Sequence, residues 1–571
     1  MNKFKPLIMS CHGKSKTLLH WLYNTHSDYD EDEKVFEYKE LIFGFNGTGF
    51  RNTERLILNI GIPEKFFEMC NRDYSSFDMT VPTENFILHL VFPVISELRK
   101  EYRNDNKDSR EKAQFSTQPP DACMDRKSGC LYNKELKRYV LKIHFNVPLV
   151  NAISVNSKAA FRAVKDIMEH IDSCLSNIDM AELVLWQKTF MNQQSIRTYM
   201  KENKICTFVA DGSILPRWDG SDKPMIGAQP FISPESMRIS ITTAMNETIT
   251  GMGIKEGITV ITGGGYSGKT TLLDAIELGI YNHIPGDGRE YVISEASALK
   301  TNAEDGRSVE NINLVAFFKG LSTDTSLEHF STTHASGSVS QAANIVEAIG
   351  GNSRLILIDE DKSATNFMIR DSLMRKIVPD EPIIPFTDRI EELSRDCGVS
   401  IILVIGGSSE YLAYADTVIL MKNFEPSDIT DLVSDFEITR NSEPTKAVWK
   451  FSRRLKPKVT TQPFLYFHSV ITENEKKIVL DEYSSDITNL TALTTPERLN
   501  TVMRVMEKIL TDKEADSEEL LQKMIDYTNQ TTGFENEKNG FHMNESEQRF
   551  FSQIRPIDAW CCINRMRGIR F

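Results

Sequence analysis

The hydrophobic positions along the chain fall into three stretches with different patterns. In residues 1–222, apolar runs such as Leu88–Val94 and Tyr139–Val150 mix with polar segments, and Ala159–Leu175 carries apolar residues at helical spacing. We therefore predict a mixed α+β N-terminal domain over residues 1–222. The polar stretch 97–133 contains few aliphatic residues, and we predict that it is a surface insertion or a disordered loop.

The second stretch, residues 223–428, alternates short aliphatic segments with glycine turns and helical segments. Four of the aliphatic segments have the pattern of buried strands: Ile258–Thr262, Leu355–Ile358, Ile401–Ile405 and Thr417–Met421. Strands of this kind that alternate with helices are typical of an α/β domain with a largely parallel sheet. We predict this fold class for residues 223–428.

The third stretch, residues 429–571, is more polar and charged, with helical spacing at Pro496–Leu510 and Ser517–Tyr527. We predict a largely helical C-terminal region here. The chain ends in a short basic segment that contains three arginines, Arg565, Arg567 and Arg570.

The amino-acid composition is that of a folded protein, and the net charge bears on whether the partner is a nucleic acid. The 571 residues allow two to four domains at about 150 residues each. Contents of 40% hydrophobic and 26% charged residues are ordinary for a globular chain. The net charge of −14 argues against a wholly basic surface for nucleic acid and leaves room for a local basic patch.

Compartment and membrane association are addressed only by general features of the sequence. Nine scattered cysteines, an odd number, and a start without a secretory signal pattern predict reduced thiols and an intracellular protein. We expect the cytoplasm, with the mitochondrion as the alternative. Because no uncharged apolar run reaches about 20 residues, we expect no membrane-spanning helix.

A phosphate-binding loop follows the strand predicted at Ile258–Thr262. It has the pattern GxxxxGK[ST], and a helical segment that starts with Thr271 comes directly after it. The loop residues are Gly263, Gly264, Gly265, Tyr266, Ser267, Gly268, Lys269 and Thr270. Glycines let successive backbone N–H groups turn towards phosphate oxygens, and the helix N-terminus adds the positive end of its dipole. We expect residues 263–271 to bind ATP, with Lys269 on the β- and γ-phosphates and the Thr270 hydroxyl on Mg²⁺.

Two acidic residues end the strand predicted at Leu355–Ile358. Mg²⁺ bound beside the phosphates needs a carboxylate opposite the loop, and we expect Asp359 to hold it through water. Glu360 would orient and deprotonate the water that attacks the γ-phosphate. The alternative is that the two acids only terminate a strand, and the phosphate loop upstream argues against it.

A segment rich in glycine and serine lies between the loop and the acids. Ser336, Gly337 and Ser338 stand at the start of a helical segment, with Ser336 placed 23 residues before Asp359. This segment resembles a degenerate LSGGQ signature of the ABC ATPases, and Asp361–Asn366 is similar to their D-loop. A flexible Ser/Gly linker is the alternative for the signature alone. The order of loop, signature, acidic strand and D-loop predicts a P-loop NTPase core of the ABC-ATPase type.

The resemblance extends to a narrower family, the predicted ATPases of the ABC class. The segments that carry it are Phe208–Arg217, Tyr281–Glu290, Ala303–Arg307, Ser363–Asp371, Pro385–Arg389 and Ile563–Arg567. These are soluble, mostly bacterial proteins that include a mitochondrial member associated with RNA editing. The resemblance implies ATP and Mg²⁺ as cofactors, and it covers residues 200–425 and the C-terminus.

Two features depart from the usual ABC machinery. Where a transporter-type ABC protein has a switch histidine after the strand that follows the acids, this chain has Gly406. Ser408 is a candidate to contact the γ-phosphate or the attacking water, and a plain strand-ending turn is the alternative. The segment between the loop and the signature contains no glutamine, so the sequence does not indicate a Q-loop. Glu304, Asp305 and Arg307 are candidates for that coupling role, and a solvated turn is the alternative.

Two histidines lie beside these motifs. His283 follows the helix of the phosphate loop, and His334 comes just before the signature. Each is a candidate for a direct role at the site, and a structural hydrogen-bonding group is the more ordinary interpretation of a lone histidine.

The signature predicts a site that one chain cannot complete. An ABC signature reaches nucleotide only from a second ATPase unit, because its helix N-terminus must face the γ-phosphate across an interface. The chain has one loop and one signature. We therefore expect a head-to-tail homodimer around two ATP molecules, with Ser336, Gly337 and Ser338 acting in trans.

Three functions are left open by the sequence. The first is a slow ATPase whose dimer clamps or remodels a soluble partner, with RNA favoured over DNA by the RNA-associated relative. The arginines of the C-terminal segment and the basic residues within 98–113 would support it. The second is a nucleotide-gated binding or scaffold module with little hydrolysis. The third is an ATPase subunit that serves a separate membrane partner, without direct insertion of this chain into the membrane.

Overall fold

The computed structural model divides the chain into two units by its backbone contacts. It describes residues 1–22, 35–47, 54–67, 79–103, 112–320, 326–436, 446–447, 449, 454–455, 467–471, 476–480, 483–511, 515–532 and 549–568. The first unit contains Met1–Phe190 and Asn529–Gln553, and the second contains Met191–Thr528 and Ile554–Phe571. The three-domain division at residues 222 and 428 stays a prediction.

The first unit is built on a six-stranded antiparallel sheet in the order β1-β2-β3-β6-β4, with β5 also paired to β6. Its strands are β1 (Phe36–Tyr38), β2 (Leu41–Gly47), β3 (Arg55–Pro63), β4 (Gln114–Thr117), β5 (Cys130–Asn133), β6 (Arg138–Asn146), and the short pair β7 (Leu149–Val150) and β8 (Ser154–Val155). Its helices are α1 (Phe4–Ser10), α2 (Thr80–Arg103), α3 (Ser157–Ser176) and α4 (Met180–Glu202), of which α4 continues into the second unit. Helix α2 packs against α3, β4 and β5.

The polar stretch predicted as an insertion or a disordered loop is part of this framework wherever the structure describes it. Residues 97–103 continue α2, and β4 and β5 pair with β6; residues 104–111 lie outside the described part. Polar side chains are buried here because they are paired. The ammonium of Lys127, 1% exposed, contacts Asp121 at 3.0 Å and donates to Asn85 at 2.8 Å. Composition alone gave no sign of these partners.

The second unit holds the remaining strands and helices. Its strands are β9 (Ile205–Ala210), β10 (Arg238–Thr242), β11 (Thr248–Lys255), β12 (Ile258–Gly263), β13 (Val292–Ser294), β14 (Leu299–Lys300), β15 (Val309–Ile312), β16 (Phe330–Thr332), β17 (Leu355–Asp359), β18 (Ser400–Val404), β19 (Thr417–Lys422), β20 (Glu425–Asp428), β21 (Arg454–Leu455), β22 (Phe467–Ile471), β23 (Lys476–Leu480), β24 (Tyr483–Asp486), β25 (Ala515–Asp516) and β26 (Met566–Arg567). Its helices are α5 (Lys269–Leu278), α6 (Gly337–Gly350), α7 (Thr365–Met368), α8 (Ser372–Ile377), α9 (Ile390–Arg395), α10 (Thr430–Ser434), α11 (Pro496–Thr511), α12 (Ser517–Thr532) and α13 (Pro556–Asn564).

A six-stranded sheet at the centre of the second unit has the order β14-β17-β18-β12-β19-β20. All pairs are parallel except β19 with β20. The four strands predicted from aliphatic runs are β12, β17, β18 and β19, and β17 and β18 are buried along their whole length. Their apolar side chains are covered on both faces, as expected for a parallel sheet. The predicted α/β core is confirmed.

In the part of the chain that the structure describes, the second unit has four smaller sheets, two of which, β15-β16 and β21-β25, consist of two strands each. Strands β10-β11-β9-β13 form an antiparallel sheet, and β22-β23-β24-β26 form another near the C-terminus. The region predicted as largely helical therefore combines helices α11 to α13 with a four-stranded sheet, whose strands are too short and too polar to stand out in the sequence. Among the described residues, no helix has the length and apolar content to cross a membrane.

Candidate nucleotide-binding site

The predicted phosphate loop connects β12 to α5. Gly263 ends the strand with φ of 146°, and Gly268 precedes the helix with φ of 99°. A Cβ added at Gly263 would overlap the carbonyl oxygen of Met421 on the neighbouring strand β19. Between these glycines, Gly264, Gly265 and Tyr266 are exposed. The loop therefore turns sharply beside β19 and presents its backbone to solvent, as a phosphate cradle requires.

We predict that Gly263→Ala weakens both the fold and nucleotide binding. The new methyl group meets backbone, and the positive φ is unfavourable for alanine, so the free energy of unfolding should fall by at least about 1 kcal/mol. Chemical denaturation measures this. Gly264→Ala is the matched control for stability, since no described atom lies within 4 Å of its added Cβ. Equal stability of the two variants would contradict the strain argument.

Lys269 lies folded over the loop that precedes it. Its Nζ donates to the carbonyl oxygens of Gly263 at 2.6 Å and Gly264 at 2.8 Å. The hydroxyl of Ser267, in a side chain that is 8% exposed overall, has no hydrogen-bond partner among the described residues. A buried hydroxyl without a partner is costly in the folded protein. The loop thus carries a cation and an unsatisfied donor, which fit the oxygens of a phosphate group.

The acidic pair lies at the end of β17. Asp359 is 1% exposed, and its carboxylate accepts the backbone N–H of Asp361 at 3.1 Å. Burial raises the pKa of Asp359 above its ordinary value, opposed by that hydrogen bond and by the charge of Lys300. Thr270, half-buried in the first turn, belongs to α5, and α5 packs against β17 and β18. A hydroxyl and a buried carboxylate are oxygen ligands of the kind that Mg²⁺ takes, so Thr270 and Asp359 fit the ion.

Glu360 is held by the turn that follows β18. Its carboxylate accepts the backbone N–H groups of Gly406 at 2.5 Å and Gly407 at 3.3 Å, and the hydroxyl of Ser408 donates to its other oxygen. Ser408 was a candidate to contact phosphate or water, and the structure places it on Glu360. The Glu360 carboxylate thus accepts hydrogen bonds from two glycine N–H groups and one hydroxyl. One of these glycines, Gly406, stands at the position where a transporter-type ABC protein has its switch histidine.

The signature segment stands at the N-terminus of α6. Ser336 is exposed and directly precedes the helix, and Gly337 and Ser338 form its first turn. The atoms nearest to a Cβ added at Gly337 belong to Asp305, Ala303 and Ala364, and none belongs to the phosphate loop. At the N-terminus of α6, Ser336 is therefore exposed, whereas Gly337 and Ser338 are half-buried, with residues 303–305 beside Gly337.

A buried polar network joins this turn to α6 and to the C-terminal segment. Arg565 donates to both carboxylate oxygens of Glu304, at 2.7 and 3.1 Å, and to the amide oxygen of Asn344 at 2.8 Å. Arg307 donates to Asn344 and Glu347 on α6. Burial alone would raise the pKa of Glu304, but Arg565, Arg307 and the Asn344 amide hold it at about 2. The solvated-turn alternative for Glu304 and Arg307 is therefore wrong; Asp305 is exposed.

Of the C-terminal arginines that the sequence suggested for a basic patch, Arg565 is buried. Arg565 is 6% exposed and is neutralised by Glu304. Arg567 is exposed and donates to the carbonyl oxygen of Gly306 at 3.0 Å; Arg570 lies outside the described residues. The prediction of a nucleic-acid contact at Arg565 is wrong, because a charge inside an ion pair is not available to phosphate.

The two histidines have different surroundings. His283 is buried, and its Nδ1 lies 2.9 Å from the carboxylate of Asp287, which also pairs with Arg217 at 2.8 Å. Against the effect of burial, His283 and Arg217 hold the pKa of Asp287 below its ordinary value. His283 therefore serves a structural cluster. His334 is exposed before the signature.

Lys300 is a residue of the site region that the motifs did not indicate. It lies on β14, beside β17, and its Nζ donates to Asp274 at 2.6 Å and Glu277 at 3.1 Å on α5. Burial disfavours the ammonium, but the two carboxylates hold the pKa of Lys300 above its ordinary value. This side chain ties the helix of the phosphate loop to the strand next to Asp359. The only hint of Lys300 in the sequence was a single lysine directly after two apolar residues, Ala298 and Leu299.

Comparison with known proteins finds a domain match that includes this site. Residues 179–456 match the P-loop domain of the ABC_ATPase family. An uncharacterized protein of Methanocaldococcus jannaschii is 28% identical over 281 residues, which cover 47% of this chain and 61% of that protein. The match thus spans less than two thirds of the relative's length.

Solved structures of ABC cassettes are also similar to part of the chain. One is cbiO1 from Clostridium perfringens, part of the ABC transporter complex cbiONQ, at 13% identity and a TM-score of 0.24 over 41% of this chain and 92% of that one. Another is an ATP-binding cassette of an ABC transporter in its ADP conformation, at 14% identity and a TM-score of 0.25 over 40% of this chain and 96% of that one. The domain match carries the assignment of the fold: residues 179–456 match the P-loop domain of the ABC-ATPase family, an ATP-binding fold.

Proposed function

We propose that this protein is a Mg²⁺-dependent ATPase in which Glu360 is the general base. The observation that carries the proposal is the anchoring of the Glu360 carboxylate, after β17, by Gly406, Gly407 and Ser408, after β18, the strand that pairs with the phosphate-loop strand β12. A general base must hold a fixed position to accept a proton from the attacking water. Phosphate release by the purified protein with saturating Mg²⁺ and ATP tests this, and no release above background would reject hydrolysis.

The other residues of the loop bind and orient the nucleotide. The backbone N–H groups of 264–270 and the N-terminus of α5 are donors for phosphate oxygens. Lys269 would exchange the carbonyl oxygens of Gly263 and Gly264 for phosphate oxygens, which are charged and therefore stronger acceptors. Thr270 and Asp359 would hold Mg²⁺, which neutralises charge on the phosphates when bound.

We propose further that two copies complete each site. Ser336 at the N-terminus of α6 is exposed, and the atoms nearest to a Cβ added at Gly337 belong to Asp305, Ala303 and Ala364, none of them to the phosphate loop. An anion at that helix end would be stabilised by the N–H groups and the helix dipole. A head-to-tail dimer would bring the signature of one copy to the γ-phosphate bound by the other.

Mixing two defective variants tests the composite site. Lys269→Ala removes the cation of the loop, and Ser336→Glu places a negative charge at the exposed signature without disturbing a buried contact. Each variant alone should be inactive. Their heterodimer contains one site with an intact loop and an intact signature, so an equal mixture should recover up to about one quarter of wild-type phosphate release. A mixture as inactive as its components would contradict sites shared between copies.

We propose that the cycle of ATP binding and hydrolysis clamps a soluble partner, with RNA or DNA as the candidate class. In the described residues, support comes from Arg99, Lys100 and Arg103, which are exposed along the last turns of α2. Retention of RNA at low salt that falls steeply as salt is added would support a phosphate contact. If the protein binds ATP and dimerises but releases no phosphate, the nucleotide-gated binding module is the better description.

A further inference from the structure

The turn between β19 and β20 lies directly against the phosphate loop. Lys422 pairs with Glu425, so the connection consists of two residues, Asn423 and Phe424. The backbone N–H of Phe424 donates to the carbonyl oxygen of Ser267 at 3.1 Å. Its ring edge lies 3.1 Å from the position that a Cβ on Gly268 would take. The turn is therefore attached to the loop through its backbone, and the Phe424 ring lies beside the last glycine before Lys269.

The fold by itself does not explain an aromatic residue in this position. Asn423 and Phe424 have φ of 51° and 67°, the pair of positive values of a two-residue hairpin turn that favours asparagine followed by glycine. A bulky side chain at positive φ is strained. Phe424 is also 61% exposed, so burial of its ring does little to offset this backbone strain. Neither local conformation nor core packing accounts for phenylalanine here.

The order of the strands shows which part of a nucleotide would approach this ring. Strand β12, which leads into the loop, lies between β18 and β19. Asp359 and Glu360 lie on the β18 side, since Glu360 is bound to the turn after β18. A nucleotide whose γ-phosphate meets these acids extends its base away from them, towards β19. Phe424 is the exposed aromatic at the end of that strand.

We propose that the ring of Phe424 is the platform on which the base of the bound nucleoside triphosphate stacks. The proposal rests on nucleotide binding at the phosphate loop and adds the subsite for the base. Stacking on an aromatic ring stabilises any planar base and favours the larger purines. Because the N–H of Phe424 is bound to Ser267, the ring keeps a fixed place relative to the phosphates, and the strained turn is the cost of that placement.

Substitution of Phe424 by glycine separates stacking from support of the fold. Glycine adopts the positive φ without strain, so the thermal unfolding midpoint of Phe424→Gly should equal or exceed that of the wild type. Its affinity for ATP, measured by calorimetry, should fall about 10-fold. Affinity for inorganic tripolyphosphate, which has no base, should not change. Phe424→Trp should keep ATP affinity, and Phe436→Ala, which removes another phenylalanine that is 61% exposed, should alter neither affinity.

The outcomes distinguish this proposal from the one on which it rests. Wild-type ATP affinity in Phe424→Gly overturns the platform and leaves the phosphate site in place. An equal loss of ATP and tripolyphosphate affinity also overturns it, because the ring would then support the loop. A wild-type protein that binds neither compound overturns both proposals.

Discussion

Replacement of Glu360 by glutamine is expected to lower ATP turnover by at least about 100-fold while ATP binding is retained. Glutamine has the size of glutamate, and its amide oxygen can still accept the N–H of Gly406. An amide cannot take the proton of the attacking water at neutral pH, so the chemical step loses its base. Single-turnover phosphate release measures the chemistry, and calorimetry with ATP measures binding. In the proposed dimer, hydrolysis would no longer separate the two copies, so size-exclusion chromatography with ATP should show the variant as the larger species.

Ser408→Ala should lower turnover less than Glu360→Gln does. It removes one of three donors to Glu360 and leaves the two glycine N–H groups. We expect kcat to fall about 10-fold, with KM unchanged, because the hydroxyl acts through the position of Glu360. Ser408→Thr restores a hydroxyl and should recover most of the loss. Unchanged turnover in Glu360→Gln would place the base elsewhere, and a larger defect in Ser408→Ala than in Glu360→Gln would mean direct contact with substrate.

Replacement of Arg565 by methionine is expected to lower the free energy of unfolding by about 3–5 kcal/mol. The substitution keeps much of the side-chain volume and removes the guanidinium that donates to both carboxylate oxygens of Glu304, which is only 9% exposed. Urea denaturation at neutral pH measures the loss. Arg567→Met, two residues along the chain at an exposed position, is the control and should cost no more than about 0.5 kcal/mol. Equal losses in the two variants would contradict the special role of the buried pair.

Acid titration should identify Glu304 as the partner. In the wild type the pKa of Glu304 is about 2, below the ordinary value of 4.5, so its contribution is complete above pH 4.5 and is lost as the pH falls towards 2. Without Arg565, burial is opposed only by Arg307 and the Asn344 amide, so the pKa of Glu304 should lie above its wild-type value. The difference between the wild type and Arg565→Met should therefore shrink as the pH is lowered from 7 to 4. The double variant with Glu304→Gln should recover part of the loss at pH 7.

The network around Glu304 also limits what the C-terminal segment can do. Residues 303–307 lie between the strand next to β17 and the signature helix α6, and Arg565 contacts both Glu304 and Asn344. A segment that closes this network is part of the ATPase unit. Arg565, buried in this network, is not available to a nucleic acid, whereas Arg99, Lys100 and Arg103 at the end of α2 are exposed.

The sequence by itself determined the parts whose information is local. The glycine spacing of 263–268 dictates a loop that turns backbone N–H groups outward, and the four aliphatic runs could only be buried strands of the parallel sheet. The α/β core and the ABC class are confirmed for this reason. The assignments of Lys269, Thr270 and Asp359 stay predictions about a bound nucleotide.

Tertiary structure decided everything that depends on pairing across the chain. Arg565 and Glu304 are 261 residues apart, so no local pattern could show that a terminal arginine is neutralised and buried. Ser408 has a role only because β17 and β18 are neighbours, which brings its hydroxyl to Glu360. The place of Phe424 beside the phosphate loop follows from its φ, its exposure and its backbone hydrogen bond to Ser267, none of which a local sequence pattern shows. Hydrophobic spacing reports burial, whereas the partner of a buried charge is set by the packing of distant elements.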